Sequence, residues 1–166
     1  ELVLKTAVLY GANGAGKSNV FRALEFTRNV ALRLRKKNAG TKRESFRLVK
    51  TQAAPTSFDL QFVAGEKLYR FGFKADDDSI TEEWLAEVRG ERVITLYERV
   101  TRDGGEVDVE LTGLTGVSSK LRALATVGGP QNCSFLATVR ANLKAGDYGD
   151  DLSVVMKWFD QSLKLV

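Results

Sequence analysis

Residues Gly11 to Ser18 read Gly-Ala-Asn-Gly-Ala-Gly-Lys-Ser, a complete G-x-x-x-x-G-K-[ST] run. No other stretch restricts the fold as much, because such a loop works only between a buried strand and a helix. Ahead of it, residues 4–10 are apolar enough to be that strand; behind it, the spacing predicts a helix from Lys17 to about Arg35. The residue types carry the chemistry. Gly11, Gly14 and Gly16, with Ala12, Asn13 and Ala15 between them, let the backbone curl into a nest of inward-pointing N–H groups. The helix that begins at Lys17 adds the positive end of its dipole. The Lys17 ammonium is expected to reach the β- and γ-phosphates of a nucleoside triphosphate, and the Ser18 hydroxyl to ligate Mg²⁺. A plain glycine turn capping a helix would not require Lys-Ser after the third glycine.

Composition narrows the remaining classes. With 166 residues, 43% hydrophobic and 28% charged, the chain fits one globular unit with a real core. A net charge of +4 and a pI near 9.2 permit nucleic-acid contact without demanding it. There is no histidine, which excludes Ser-His and Cys-His dyads and histidine metal sites. The single cysteine, Cys133, excludes an internal disulfide and reads as a buried thiol, pointing to a reducing, cytoplasmic setting. No apolar run reaches the length of a membrane span, and no secretory signal is present. The chain starts without methionine and stops in an apolar segment, so it reads as a piece of a longer polypeptide.

Three segments follow along the chain. Residues 1–56 hold the loop, its helix and a basic connection. In the helix Val20, Leu24, Thr27, Ala31 and Leu34 repeat at helical spacing, and Arg33, Arg35, Lys36 and Lys37 make a cationic end. Residues 57–113 switch to period two, as at Phe58, Leu60 and Phe62 or Tyr69, Phe71 and Phe73, with turn residues between runs. They predict an antiparallel meander of about five strands. Residues 114–166 return to helical spacing. Helices are expected over 118–126 and 134–143, and a last one, capped by Asp150 or Asp151, carries the stripe Leu152, Val155, Met156, Phe159 and Leu163. The fold class is therefore α/β, a P-loop lobe with an inserted meander and a helical segment.

The loop Gly-Ala-Asn-Gly-Ala-Gly-Lys-Ser-Asn, its helix and the meander together resemble the ATP-binding-cassette-like ATPases. That group includes SMC and RecF-type proteins, the overcoming-lysogenization-defect family and the bacterial anti-phage AAA-family ATPases of the AbiL and RloA kind. Asn13-Gly14 and Ser18-Asn19 are typical of it. The order Leu68-Tyr69-Arg70-Phe71-Gly72-Phe73, Ile80-Thr81-Glu82-Glu83-Trp84-Leu85, Leu96-Tyr97-Glu98-Arg99 is similar to the landmarks of the AbiL/RloA type. Asn132-Cys133-Ser134-Phe135-Leu136-Ala137 and Lys157-Trp158-Phe159 continue the series. The resemblance implies an ATPase head that binds ATP and Mg²⁺ through Gly11 to Asn19, with Asn13 near the γ-phosphate and Gln131 or Asn132 as the Q-loop residue, Gln131 sensing the metal. It also implies head-to-tail dimers or higher oligomers with ATP at the interface, and a partner effector such as a nuclease or toxin. No Walker B run ending in Asp-Glu, no signature motif and no switch histidine occurs, so the fragment alone is expected to be inactive as an ATPase.

The alternatives are an SMC- or RecF-like DNA repair ATPase and a nucleotide-gated scaffold with little turnover. A GTPase would need an Asn-Lys-x-Asp run, which is missing. Nucleic-acid contact by the basic stretch Arg33 to Arg47 is the weaker reading against a solvated helix end. Asp76-Asp77-Asp78 reads as a hairpin turn rather than a metal loop. Glu82 and Glu83 are expected at the surface, and Tyr69, Phe71 and Phe73 in the core.

Overall fold

The sheet is an antiparallel meander because every period-two run meets the next across a short turn. A computed structural model describes residues 8–44 and 54–165. In it β1 (Thr56–Ala64), β2 (Lys67–Ala75), β3 (Ile80–Arg89), β4 (Arg92–Thr101) and β5 (Val107–Leu111) pair in sequence order. The five strands lie where the alternation put them. Gly65 and Gly90 turn two of the hairpins with φ of 63° and 61°, a conformation that side chains resist.

One face of the sheet carries Phe62, Tyr69, Phe71, Phe73, Leu85 and Tyr97, all buried. Against that face pack α1 (Lys17–Leu32), α3 (Phe135–Asn142), α4 (Asp150–Lys157) and a π-helical turn (Trp158–Ser162), while α2 (Ser119–Val127) covers the β5 edge. Aromatic rings knit the layers: Phe58 stacks on Phe73 at 4.8 Å, Phe62 on Trp158 at 4.0 Å, and Phe71 meets Phe159 edge-on at 5.3 Å. Each such side chain, fully buried, stabilises the fold by about 1.5–3 kcal/mol. Tyr69, Phe71 and Phe73 are thus core residues, and Cys133 is a buried thiol, as expected.

Several boundaries differ. The first helix stops at Leu32, where Arg33 is extended, so the cations from Arg33 onward lie beyond its last turn. Its buried residues are Thr27, Val30, Ala31 and Leu32, whereas Val20 and Leu34 are 47% and 45% exposed. Only the C-terminal half of α1 reaches the sheet and α3. The strand expected over residues 4–10 falls largely on residues 1–7, outside the described residues; 8–10 belong to no strand and are exposed. The connection expected after the helix includes residues 45–53, also outside the described residues. The last helix is preceded by Gly149, with φ 80°, rather than capped by an aspartate; Asp150 and Asp151 sit in its first turn, where the helix dipole favours them.

One irregularity in the ladder has a consequence. Leu85 pairs with Tyr97 but Ala86 pairs with Thr95, so Leu96 is an extra residue, a β-bulge. Strict alternation would put Tyr97 with Val93 and Leu96 with Glu98. The bulge resets the phase instead: Leu96 and Tyr97 are both buried and Glu98 points to the opposite face.

Candidate functional site

The phosphate-binding run forms a loop that turns on Gly14 and Gly16, with φ of 85° and 84°, and closes with an Ala15 amide to Ala12 carbonyl bond of 3.2 Å. A side chain at either glycine would be strained whatever the space around it. At Gly11 the constraint is space, not backbone conformation. A Cβ there would lie 3.3 Å from the Ala15 Cβ and 3.8 Å from the Lys17 ammonium, which folds back across the loop. Lys17 Nζ donates to the Gly11 carbonyl and, at 2.8 Å, to the Ala12 carbonyl. The lysine therefore lies over its own loop.

Among the described residues no side chain caps α1 at its N-terminus, and its first turn carries no acid. The amides of Gly16, Lys17 and Ser18 donate to no protein group among the described residues. Uncapped N–H groups on a 16-residue helix, beside a lysine, are the donor set that a chain of phosphates satisfies. Ser18 is exposed and its hydroxyl has no protein partner among the described residues, which leaves it free to ligate magnesium. Asn13 and Asn19 flank the same opening and are exposed. The residues fit a magnesium-bound nucleoside triphosphate.

Gln131 and Asn132 lie elsewhere. Asn132 donates to the Lys36 carbonyl at 2.9 Å, Ser134 donates to the Val30 carbonyl at 2.7 Å, and Gln131 packs its side chain against Gly105 in the β4–β5 turn. The Val30 and Lys36 carbonyls lie at and just past the C-terminal end of α1, and about 24 Å of helix separates that end from Lys17. The structure does not bring the two residues together with the loop. They line instead a cleft of about 760 Å³, with Lys37, Gly104 and Pro130.

A second centre gathers the chain's other landmarks. Glu83 on β3, expected at the surface, is 1% exposed. Its carboxylate accepts from the Tyr97 hydroxyl at 2.6 Å and from the amides of Phe135 and Leu136 at 2.8 and 3.3 Å, so it caps the N-terminus of α3 from across the sheet. Arg99, equally buried and opposite it in register, has Nε 4.0 Å from Glu83 and donates to the carbonyls of Ile80, Pro130 and Gln131. Burial raises the Glu83 pKa against the opposing pull of Arg99, Tyr97 and the two amides. Burial likewise lowers Arg99 and raises Tyr97. Glu82, one residue away, points out and pairs with Lys74 at 2.8 Å. The sequence carried no clear signal for Glu83: it shares the phase of Leu85 with Thr81, Glu87 and Arg89, the more polar side by residue type, and it is the structure that buries that side. Asp76 to Asp78 form the expected turn, with Asp76 accepting from the amides of Asp78 and Ser79, and no metal-ligand cluster occurs among the described residues.

Two further contacts fix α1 in place. Arg28 donates to the Phe159 and Asp160 carbonyls in the π-helical turn at 2.9 and 3.1 Å, and Arg140 bridges the Leu32 carbonyl and Asp160. Arg43, in the basic connection, pairs with Asp77 at 2.7 Å, which gives that residue a structural partner. No described helix is long and apolar enough to cross a membrane.

No curated protein and no solved structure matches the chain. A family model does, over residues 7–113, from the loop to the end of the meander. Its description is "AAA domain, putative AbiEii toxin, Type IV TA system". That span is more than half of the chain and includes the glycine-lysine-serine loop described above, so the chain belongs to this AAA-domain family of P-loop ATPases.

Proposed function

We propose that the chain is part of the ATP-binding head of a bacterial anti-phage defence ATPase of the AbiL/RloA, ABC-like type, in which nucleotide-dependent pairing of heads gates a partner effector, a nuclease or toxin. The observation that carries the nucleotide part is the uncapped α1 N-terminus with Lys17 laid across a loop that only glycines can make. The defence role is supported by the family description, which names a putative AbiEii toxin and a type IV TA system. Cytoplasmic placement goes with that role.

Within this reading Gly11 to Gly16 cradle the phosphates with backbone N–H groups, Lys17 balances their charge, and Ser18 with the triphosphate holds Mg²⁺. Bound magnesium would supply charge neutralisation for phosphoryl transfer to water. Asn13 and Asn19 border the phosphate end. Gln131 and Asn132 are left out of this site because they sit at the other end of α1. This sequence has no Walker B run ending in Asp-Glu, so the chain by itself is expected to turn over negligibly.

The test is Lys17→Ala in the full-length protein, assayed for equilibrium ATP binding and for protection against phage. Loss of both supports the reading; wild-type affinity refutes the role of Lys17. Steady-state hydrolysis by the full-length protein separates an ATPase from a nucleotide-gated scaffold with little turnover. An SMC- or RecF-like repair ATPase is the second reading, and DNA-stimulated turnover without phage protection would favour it.

A further inference from the structure

The cleft lined by Gln131, about 760 Å³ in volume, presents three polar side chains that the fold leaves without partners. Gln131 itself is the first. Its backbone is fixed, because its carbonyl accepts from the Ile80 amide at 2.9 Å and from Arg99 at 3.0 Å. Its side chain rests on Gly105, where a Cβ would collide with Oε1. The carboxamide nevertheless has no hydrogen-bond partner among the described residues. Held in this way, it offers a donor and an acceptor side by side to the cleft.

Lys37 and Asp78 line the same cleft. Both are exposed, and neither is in an ion pair, with the other or with any described residue. The three free groups differ in kind: a cation, a carboxylate and a carboxamide. A zwitterion as small as an amino acid answers the first two and leaves the carboxamide and most of the volume unmet. A nucleoside monophosphate answers all three, with its phosphate for the ammonium, its ribose hydroxyls for the carboxylate and a base edge for the carboxamide. The volume is that of sites which enclose ligands of this size. Adenine is the base that fits. Its N6 donor and N7 acceptor complement the two ends of a glutamine carboxamide, whereas guanine presents two acceptors on that edge.

We propose that this cleft is a second nucleotide site, specific for an adenine nucleotide and separate from the phosphate-binding loop. Gln131 pairs with the N6–N7 edge of the base, Asp78 accepts from the ribose hydroxyls, and Lys37 pairs with the phosphate. The inference is independent of the reading given to the loop. About 24 Å of helix separates Lys17 from the end of α1 at which the cleft opens, and no residue is shared between the two.

The test titrates the full-length protein carrying Lys17→Ala with adenosine 5′-monophosphate, without magnesium, by isothermal calorimetry. The substitution weakens the loop site, and the probe lacks the β- and γ-phosphates that Lys17 would meet, so the heat reports the cleft. Saturable binding at one site is expected. Guanosine 5′-monophosphate should bind at least about tenfold more weakly, and Gln131→Leu, which keeps the bulk and removes the carboxamide, should weaken the adenine nucleotide by a similar factor. Lys37→Glu and Asp78→Asn should each weaken it several-fold. Both residues are exposed, so these two variants decide the matter should Gln131→Leu fail to fold. No saturable binding, equal binding of the guanine nucleotide, or wild-type affinity in the folded cleft variants overturns the proposal.

Discussion

Glu83 accepts a hydrogen bond from the Phe135 amide at 2.8 Å, so a carboxylate in the middle of a strand closes the first turn of helix α3, 52 residues further along the chain. With Tyr97 donating to the same carboxylate and Arg99 4.0 Å away, this contact joins β3, β4 and α3 through buried polar groups. Two charges are held inside an apolar core.

Removing one partner leaves the other buried and unbalanced. Glu83→Ala is expected to lower the stability of the fold by about 3–5 kcal/mol, read from urea denaturation. Glu83→Gln keeps the shape and can still accept from the helix amides, so it should lose less. A loss below about 1 kcal/mol for Glu83→Ala would contradict the assignment of Glu83 as the cap that fastens α3 to the sheet.

Lys17→Ala should leave the fold intact, because the only described partners of the ammonium are the Gly11 and Ala12 carbonyls of its own loop. Nucleotide affinity should fall at least tenfold, about 1.4 kcal/mol. Isothermal titration beside a thermal melt separates the two effects. A variant that melts early and binds normally would invert this account.

Acid sensitivity follows from Asp151. Burial acts to raise its pKa, but the bonds from Lys67 at 2.7 Å and Tyr69 at 2.6 Å prevail and hold it below 3.8. A carboxylate depressed in the folded state contributes stability above its unfolded pKa and loses it as pH falls through the folded value. Melting temperature should thus drop as pH falls below about 4, and Asp151→Asn should flatten that limb while lowering stability at neutral pH. Parallel acid limbs in the two proteins would rule out Asp151 as a source of the drop.

Gly72→Ala tests the seat of the indole. Its Cβ would meet Trp84 at 2.3 Å, so the ring must move, at about 1–3 kcal/mol. In a Trp84→Ala background the same substitution should be neutral or favourable, since alanine is the better strand residue. A double-mutant cycle that returns no coupling would mean the two residues do not touch in solution.

The spacing of apolar residues identified all five strands, and the three helical stretches after them, because a sheet buried on one side and helices buried on one stripe leave regular periods. The loop was equally plain: glycines at positive φ followed by Lys-Ser have few other uses. What local pattern missed turned on the bulge at Leu96. Counting back from the Gly90-Glu91 turn without it would pair Glu83 with Glu98; the extra residue pairs Glu83 with Arg99. That one insertion sends Arg99 into the core and Glu98 to the outer face.

The amino-acid sequence alone thus determined the anion-binding loop, the meander and the helical segment, since each depends on neighbours a few residues apart. Tertiary structure decided how far α1 is buried, that Gln131 and Asn132 stand at the opposite end of that helix from Lys17, and that Glu83 caps α3. Those outcomes depend on packing between segments distant in the chain and on a one-residue shift of register, and neither leaves a periodic trace in the order of residues.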